Sequence, residues 1–136
     1  MYPFLYDALV AVAYGLLLPG IAVLHVRHAA VRQSGAILGT IAGAAVATVG
    51  LAGSANVDVR PASLFVLGMW WWTIGKLWTQ TAVLPRAFGV GTAALAMLAF
   101  ALVPLESLFG EQYFTAGHAI IGLWLIVLAW IFVARG

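Results

Sequence analysis

Charged and strongly polar residues are sparse along the chain, and they fall in clusters that separate long apolar runs. A helix needs about 20 apolar residues to cross the hydrocarbon core of a bilayer. Five runs approach that length, at roughly 4–26, 35–54, 62–84, 87–105 and 115–134, and the pattern predicts a helix over each. The fourth run contains no charge; Pro85–Arg86 precede it, and Pro104–Leu105–Glu106 are expected to end it. The five runs take up about 105 of the 136 residues. The connections are therefore short, and residues 1–136 are expected to form a single membrane-embedded helical domain. The first run is too long for a secretory leader and has no basic segment before it, so it is expected to remain in the protein.

Composition narrows the class further. Hydrophobic residues make up 65% of the chain and charged residues 7%, against about 25% charged in soluble domains. The mean hydropathy is +1.09. These values exclude a soluble enzyme, a disordered tail and a nucleic-acid-binding domain, and they point to membrane lipids as the surroundings. The chain has no cysteine, which excludes disulfides, thiolate metal sites and thiol nucleophiles.

The net charge of +2 reads as topology rather than as a basic binding surface. With the N-terminus outside, Arg27, Arg32, Arg86 and Arg135 fall on the cytoplasmic side. Asp7, Asp58, Glu106 and Glu111 then fall outside, with Arg60 as the only base beside them. Arginine near span ends is retained inside. Tyr2, Phe4 and Tyr6, with Tyr113 and Phe114, would mark one outer interface. The expected architecture is an all-α integral membrane protein, a five-transmembrane-helix bundle with its N-terminus outside and its C-terminus cytoplasmic. Its expected place is the cell membrane, crossed in multiple passes.

Two segments carry helix-packing signals. Gly35, Gly39, Gly43 and Ala47 recur every four residues, and Gly89, Thr92, Ala96 and Ala99 repeat the idea more loosely. Small residues at this spacing let another backbone approach closely, either within the chain or from another subunit. Pro19–Gly20 predicts a kink in the first helix, because proline crowds the carbonyl of Gly15.

Lys76 is the most informative charge, since it lies within an apolar run. At helical spacing it shares a side with Thr73, Thr79, Gln80, Met69 and Trp72, while Trp70, Trp71, Ile74 and Trp78 lie opposite. Two readings stand open. Lys76, Thr73, Gln80 and Trp72 form a site for an anion, a proton or a polar headgroup. Alternatively, Lys76, Trp78, Thr79, Gln80 and Thr81 form an interfacial belt from which the lysine snorkels. Glu111 and His118, seven apart, are candidate metal ligands at the outer end. His25 and His28 lie at the other end, about 30 Å away, too far to share a haem or metal with His118. The six tryptophans either pack against neighbours or line a pocket for a flat apolar ligand. No nucleophile–histidine–acid pattern accompanies the serines.

The stretch Leu84-Pro85-Arg86-Ala87-Phe88-Gly89 resembles a cytoplasmic loop of assorted small prokaryotic membrane proteins, a resemblance that implies no activity. The leading expectation is a small non-catalytic subunit or scaffold packing against partner helices or further copies of itself. The grounds are small-residue and aromatic faces in excess of what five short helices need to bury. The alternatives are a small-molecule or ion binding or transport protein using the stripe around Lys76, and a pigment- or haem-carrying protein. The sequence names no cofactor.

Overall fold

The computed structural model describes residues 3–55, 59–109 and 112–135. These residues form five helices: α1 (Pro3–Ala29), α2 (Gln33–Ala55), α3 (Arg60–Thr81), α4 (Arg86–Phe109) and α5 (Gln112–Arg135). Each overlies one of the five apolar runs, and the ends differ for physical reasons. The α3 helix stops at Thr81 rather than near 84. There Ala82 adopts a left-handed conformation (φ 53°, ψ 27°), and its N–H bonds the Trp78 carbonyl at 2.9 Å. Pro85 follows and blocks continuation. The α4 helix, by contrast, does not end at Pro104–Leu105–Glu106 but runs through Pro104 to Phe109. Proline removes one backbone donor, a loss that apolar helices tolerate when neighbours cover the freed carbonyl. The α1 helix likewise continues through Pro19.

Three of these helices are long and apolar enough to cross a membrane: 8–29, 33–53 and 86–105. Residues 119–134 form a shorter apolar stretch. This is the pattern of a membrane protein. The α3 helix is less apolar because Thr73, Lys76, Thr79, Gln80 and Thr81 crowd its C-terminal half.

Successive helices run antiparallel. Tyr14 meets Gly50, Ile21 meets Gly43 and His28 meets Gly39 along α1 and α2. Along α2 and α3, Leu77 covers Gly35, Ile74 covers Gly39 and Trp70 covers Gly43. Ala47 is buried in the same stripe. The side of α2 bearing Gly35, Gly39, Gly43 and Ala47 is thus occupied by α1 and α3. The most extensive packing joins α3 to α4, and α5 leans on α4 with a smaller contact to α3.

The α3–α4 crossing is close enough that only glycine fits. A Cβ on Gly75 would lie 2.8 Å from the Ala93 nitrogen and 2.9 Å from the Gly89 carbonyl oxygen. With no side chain between them the two backbones touch, and dispersion plus Cα–H···O contacts hold them together. Thr92, Ala96 and Ala99 of α4 are buried.

An aromatic cluster fills the space between α3, α4 and α5. The rings of Trp78, Phe88 and Trp124 lie nearly parallel: Trp78–Phe88 at 5.4 Å and 18°, Phe88–Trp124 at 5.9 Å and 17°, Trp78–Trp124 at 6.2 Å and 15°. Trp70 meets Trp124 edge-on at 5.5 Å and 73°, and Trp71 tilts against it at 5.4 Å. Of the three consecutive tryptophans only Trp72 is exposed, at 41%.

Candidate functional site

The helix order gathers most of the basic residues at one end of the bundle, with Arg60, at the start of α3, at the other. Arg27 and His28 end α1, Arg32 sits in the connection to α2, Lys76 lies in the last turns of α3, and Arg86 opens α4. Two acids belong to described helices, and both stand elsewhere: Asp7 and Glu106 lie toward the far ends of α1 and α4.

Within the basic end, α2 and α3 enclose a groove of about 280 Å³. Arg32, Ser34 and Leu38 line one wall, and Thr73, Lys76 and Gln80 the other. Arg32 Nη1 donates to Gln80 Oε1 at 2.7 Å, a bond between residues 48 apart in sequence. The ammonium of Lys76 stands 5.4 Å from the centroid of the Trp72 ring, within reach of a cation–π attraction. Thr73 donates its hydroxyl proton to the Met69 carbonyl at 2.8 Å. Two cations from different elements therefore share one groove, with donors in excess of acceptors. Beside the groove the Leu77 methyls of α3 pack on Gly35 of α2.

The structure brings Thr73, Lys76, Gln80 and Trp72 to one side of α3, as the helical spacing indicates. Thr79 departs from that stripe. Its hydroxyl bonds the Gly75 carbonyl at 2.8 Å, and it packs on Gly89 of α4. Trp78 is no part of an interfacial belt, because it is fully buried. Arg32 and Ser34 were not legible as site residues, since their inclusion depends on how α2 pairs with α3.

The two histidines at this end are engaged internally. The indole N–H of Trp78 donates to His28 Nε2 at 2.6 Å, and His25 Nδ1 bonds Thr40 Oγ1 at 2.6 Å. Arg27 lies over the Phe132 ring at 4.5 Å and ties the end of α1 to the end of α5. Among the described residues no group of three metal-ligating side chains forms. Glu111 and the side chain of His118 lie outside the described residues, as do the outer aromatic side chains of Tyr2, Phe4, Tyr6, Tyr113 and Phe114.

Two further grooves flank α5. One, of about 270 Å³, lies against α1 between Leu9, Tyr14, Leu17 and Leu125. The other, of about 480 Å³, lies against α4 between Phe88, Gly91, Leu123 and Trp124. Both are almost wholly apolar. The one hydroxyl beside the second groove is already committed: Thr92 accepts from Trp124 Nε1 at 2.9 Å and donates to the Phe88 carbonyl at 2.8 Å.

No protein-family model matches the chain, and no curated protein or solved structure shows significant similarity to it. The site therefore has to be interpreted from its own chemistry.

Proposed function

We propose that the chain is a five-span integral protein of the cell membrane, N-terminus outside, that binds a small anionic ligand in the Arg32–Lys76 groove at its cytoplasmic end. One observation carries this reading: two cations from separate elements face the same groove, while the acids of the described helices, Asp7 and Glu106, belong to the opposite end. Like charges held together in a poorly hydrated place repel, and an anion between them removes that repulsion. Gln80 fixes the Arg32 guanidinium through its amide oxygen and leaves the remaining N–H groups free to donate.

The reading as a subunit docking on partner helices rested on surplus small-residue and aromatic faces. Within the chain Gly35, Gly39 and Gly43 lie beneath α1 and α3 and the buried tryptophans pack around Trp124, while Trp72 and Trp130 remain exposed. The Arg32–Lys76 groove differs from the two apolar grooves flanking α5 in being lined by charged and polar side chains.

Each basic group near an anionic surface contributes about 1 kcal/mol, so removing both is expected to weaken binding roughly 30-fold. The test measures retention of inorganic phosphate and of anionic and zwitterionic lipids by the purified protein. Lys76→Met and Arg32→Gln should each reduce anion retention with the helical circular dichroism unchanged. Retention that ignores both substitutions removes the reading.

A further inference from the structure

We infer that the ligand of this groove is the phosphodiester headgroup of an anionic glycerophospholipid, taken sideways from the adjoining leaflet, with an acyl chain lying along α2 and α3. The inference rests on the anion-binding reading above and adds to it the class of molecule. Three features of the molecule support it.

The first is the balance of donors and acceptors. Arg32, Lys76 and Ser34 offer N–H and O–H groups, whereas the Gln80 oxygen is taken by Arg32 and the Thr73 proton by the Met69 carbonyl. A phosphodiester has oxygens to accept these donors and no proton to place. Arginine and lysine suit it in complementary ways, the guanidinium as a planar fork and the ammonium as a point charge. A headgroup carrying its own quaternary ammonium would bring a third cation to a groove with no carboxylate among its described lining residues.

The second is what adjoins the polar mouth. Leu38 lines the groove itself and is 60% exposed. Beyond it toward the middle of the helices stand Ile41 on α2 and Met69 and Phe65 on α3, all exposed. They continue the outward sides of Leu38 and Thr73 at helical spacing. A free phosphate ion has no use for such a rail, but an acyl chain does.

The third is the route of entry. The lining side chains of Lys76, Gln80 and Leu38 are exposed on the flank of the bundle, so the groove opens toward the leaflet rather than into an enclosed chamber. Basic pockets between membrane helices hold phospholipid headgroups by this combination of charge and lateral access.

The experiment is native mass spectrometry of the whole purified chain in mild detergent. It is titrated in turn with phosphatidylglycerol and with phosphatidylcholine of the same acyl chains, and inorganic phosphate binding is measured by calorimetry. The wild type is expected to retain phosphatidylglycerol at least 10-fold better than phosphatidylcholine. Arg32→Gln with Lys76→Met should remove that preference, and Lys76→Arg should keep it, which separates lost charge from lost folding. Leu38→Ser should weaken phosphatidylglycerol and leave any phosphate binding unchanged. Equal retention of the two lipids by the wild type overturns the lipid assignment. So does inorganic phosphate bound as tightly as phosphatidylglycerol and indifferent to Leu38→Ser, a result that leaves the anion site standing. No retention of any anion overturns both.

Discussion

Trp78 and His28, fifty residues apart, are joined at 2.6 Å by a hydrogen bond that neither can replace nearby, because both side chains are buried. An indole N–H can only donate, so His28 Nε2 must accept and the ring must be neutral with its proton on Nδ1. The bond locks the end of α1 to α3 directly behind the groove wall. Trp78 also carries the near-parallel contacts to Phe88 and Trp124, so one side chain links four helices.

A double-mutant cycle is expected to show this coupling. Trp78→Phe leaves the imidazole acceptor unsatisfied, and His28→Leu leaves the indole donor unsatisfied, each at about 1–3 kcal/mol beyond any packing loss. Removing both leaves no orphan, so the double variant should be more stable than the sum of the singles implies, by about 1–2 kcal/mol. Denaturation of the three variants in mixed micelles, followed by circular dichroism, gives the value. Additivity within about 0.5 kcal/mol would show that the pair contributes nothing specific.

The glycines divide into those that permit a helix crossing and those that do not. Gly89 and Gly91 stand two residues apart on α4, yet a Cβ at 89 would lie 2.9 Å from the Thr79 nitrogen, and one at 91 would meet nothing within 4 Å. Backbone cannot yield as a flexible side chain does. Gly89→Ala is therefore expected to cost about 1–3 kcal/mol by forcing α3 and α4 apart. Gly91→Ala should be neutral or stabilising by up to about 1 kcal/mol, the difference in helix propensity. Gly75→Ala should follow Gly89→Ala. Thermal unfolding of the three variants under identical detergent conditions provides the comparison, and equal effects at 89 and 91 would contradict the crossing geometry.

What the sequence made legible follows from locality. Apolar runs report helices directly, so five helices and the α2 stripe at Gly35, Gly39, Gly43 and Ala47 could be read without any contact information. That Lys76, Thr73 and Trp72 share one side of α3 was also legible, since it depends only on helical periodicity, whereas the direction that side faces depends on the packing of α2 and α4. Gly75 was not, because it sits among Trp71, Trp72, Thr73, Ile74 and Lys76, outside any run of small residues like that of α2. Its role appears only when Gly89 is laid across it. The membership of Arg32 and Ser34 in the groove was hidden for the same reason, as it requires the pairing of α2 with α3. Pro104 misled because it marks a boundary in water, whereas an apolar helix carries it as an interior residue. Thr79 misled because a residue three positions from Lys76 lies far enough around the helix to belong to the next interface.

The crossing topology makes the last prediction. Alternating helix directions place the α1–α2 and α3–α4 connections at one end and the end of α2 at the other. In the orientation proposed above, the first of these lies on the cytoplasmic side. The chain has no cysteine, so single-cysteine variants report without background. In intact cells, Ala55→Cys is expected to react with a membrane-impermeant maleimide. Ala30→Cys and Ala87→Cys should react only after the membrane is opened. Residues 30 and 87 are both exposed, so a failure to label reflects sidedness rather than burial. If Ala87→Cys labels from outside while Ala30→Cys does not, α3 lies on the membrane or re-enters it, and the groove between α2 and α3 loses its place at the inner leaflet.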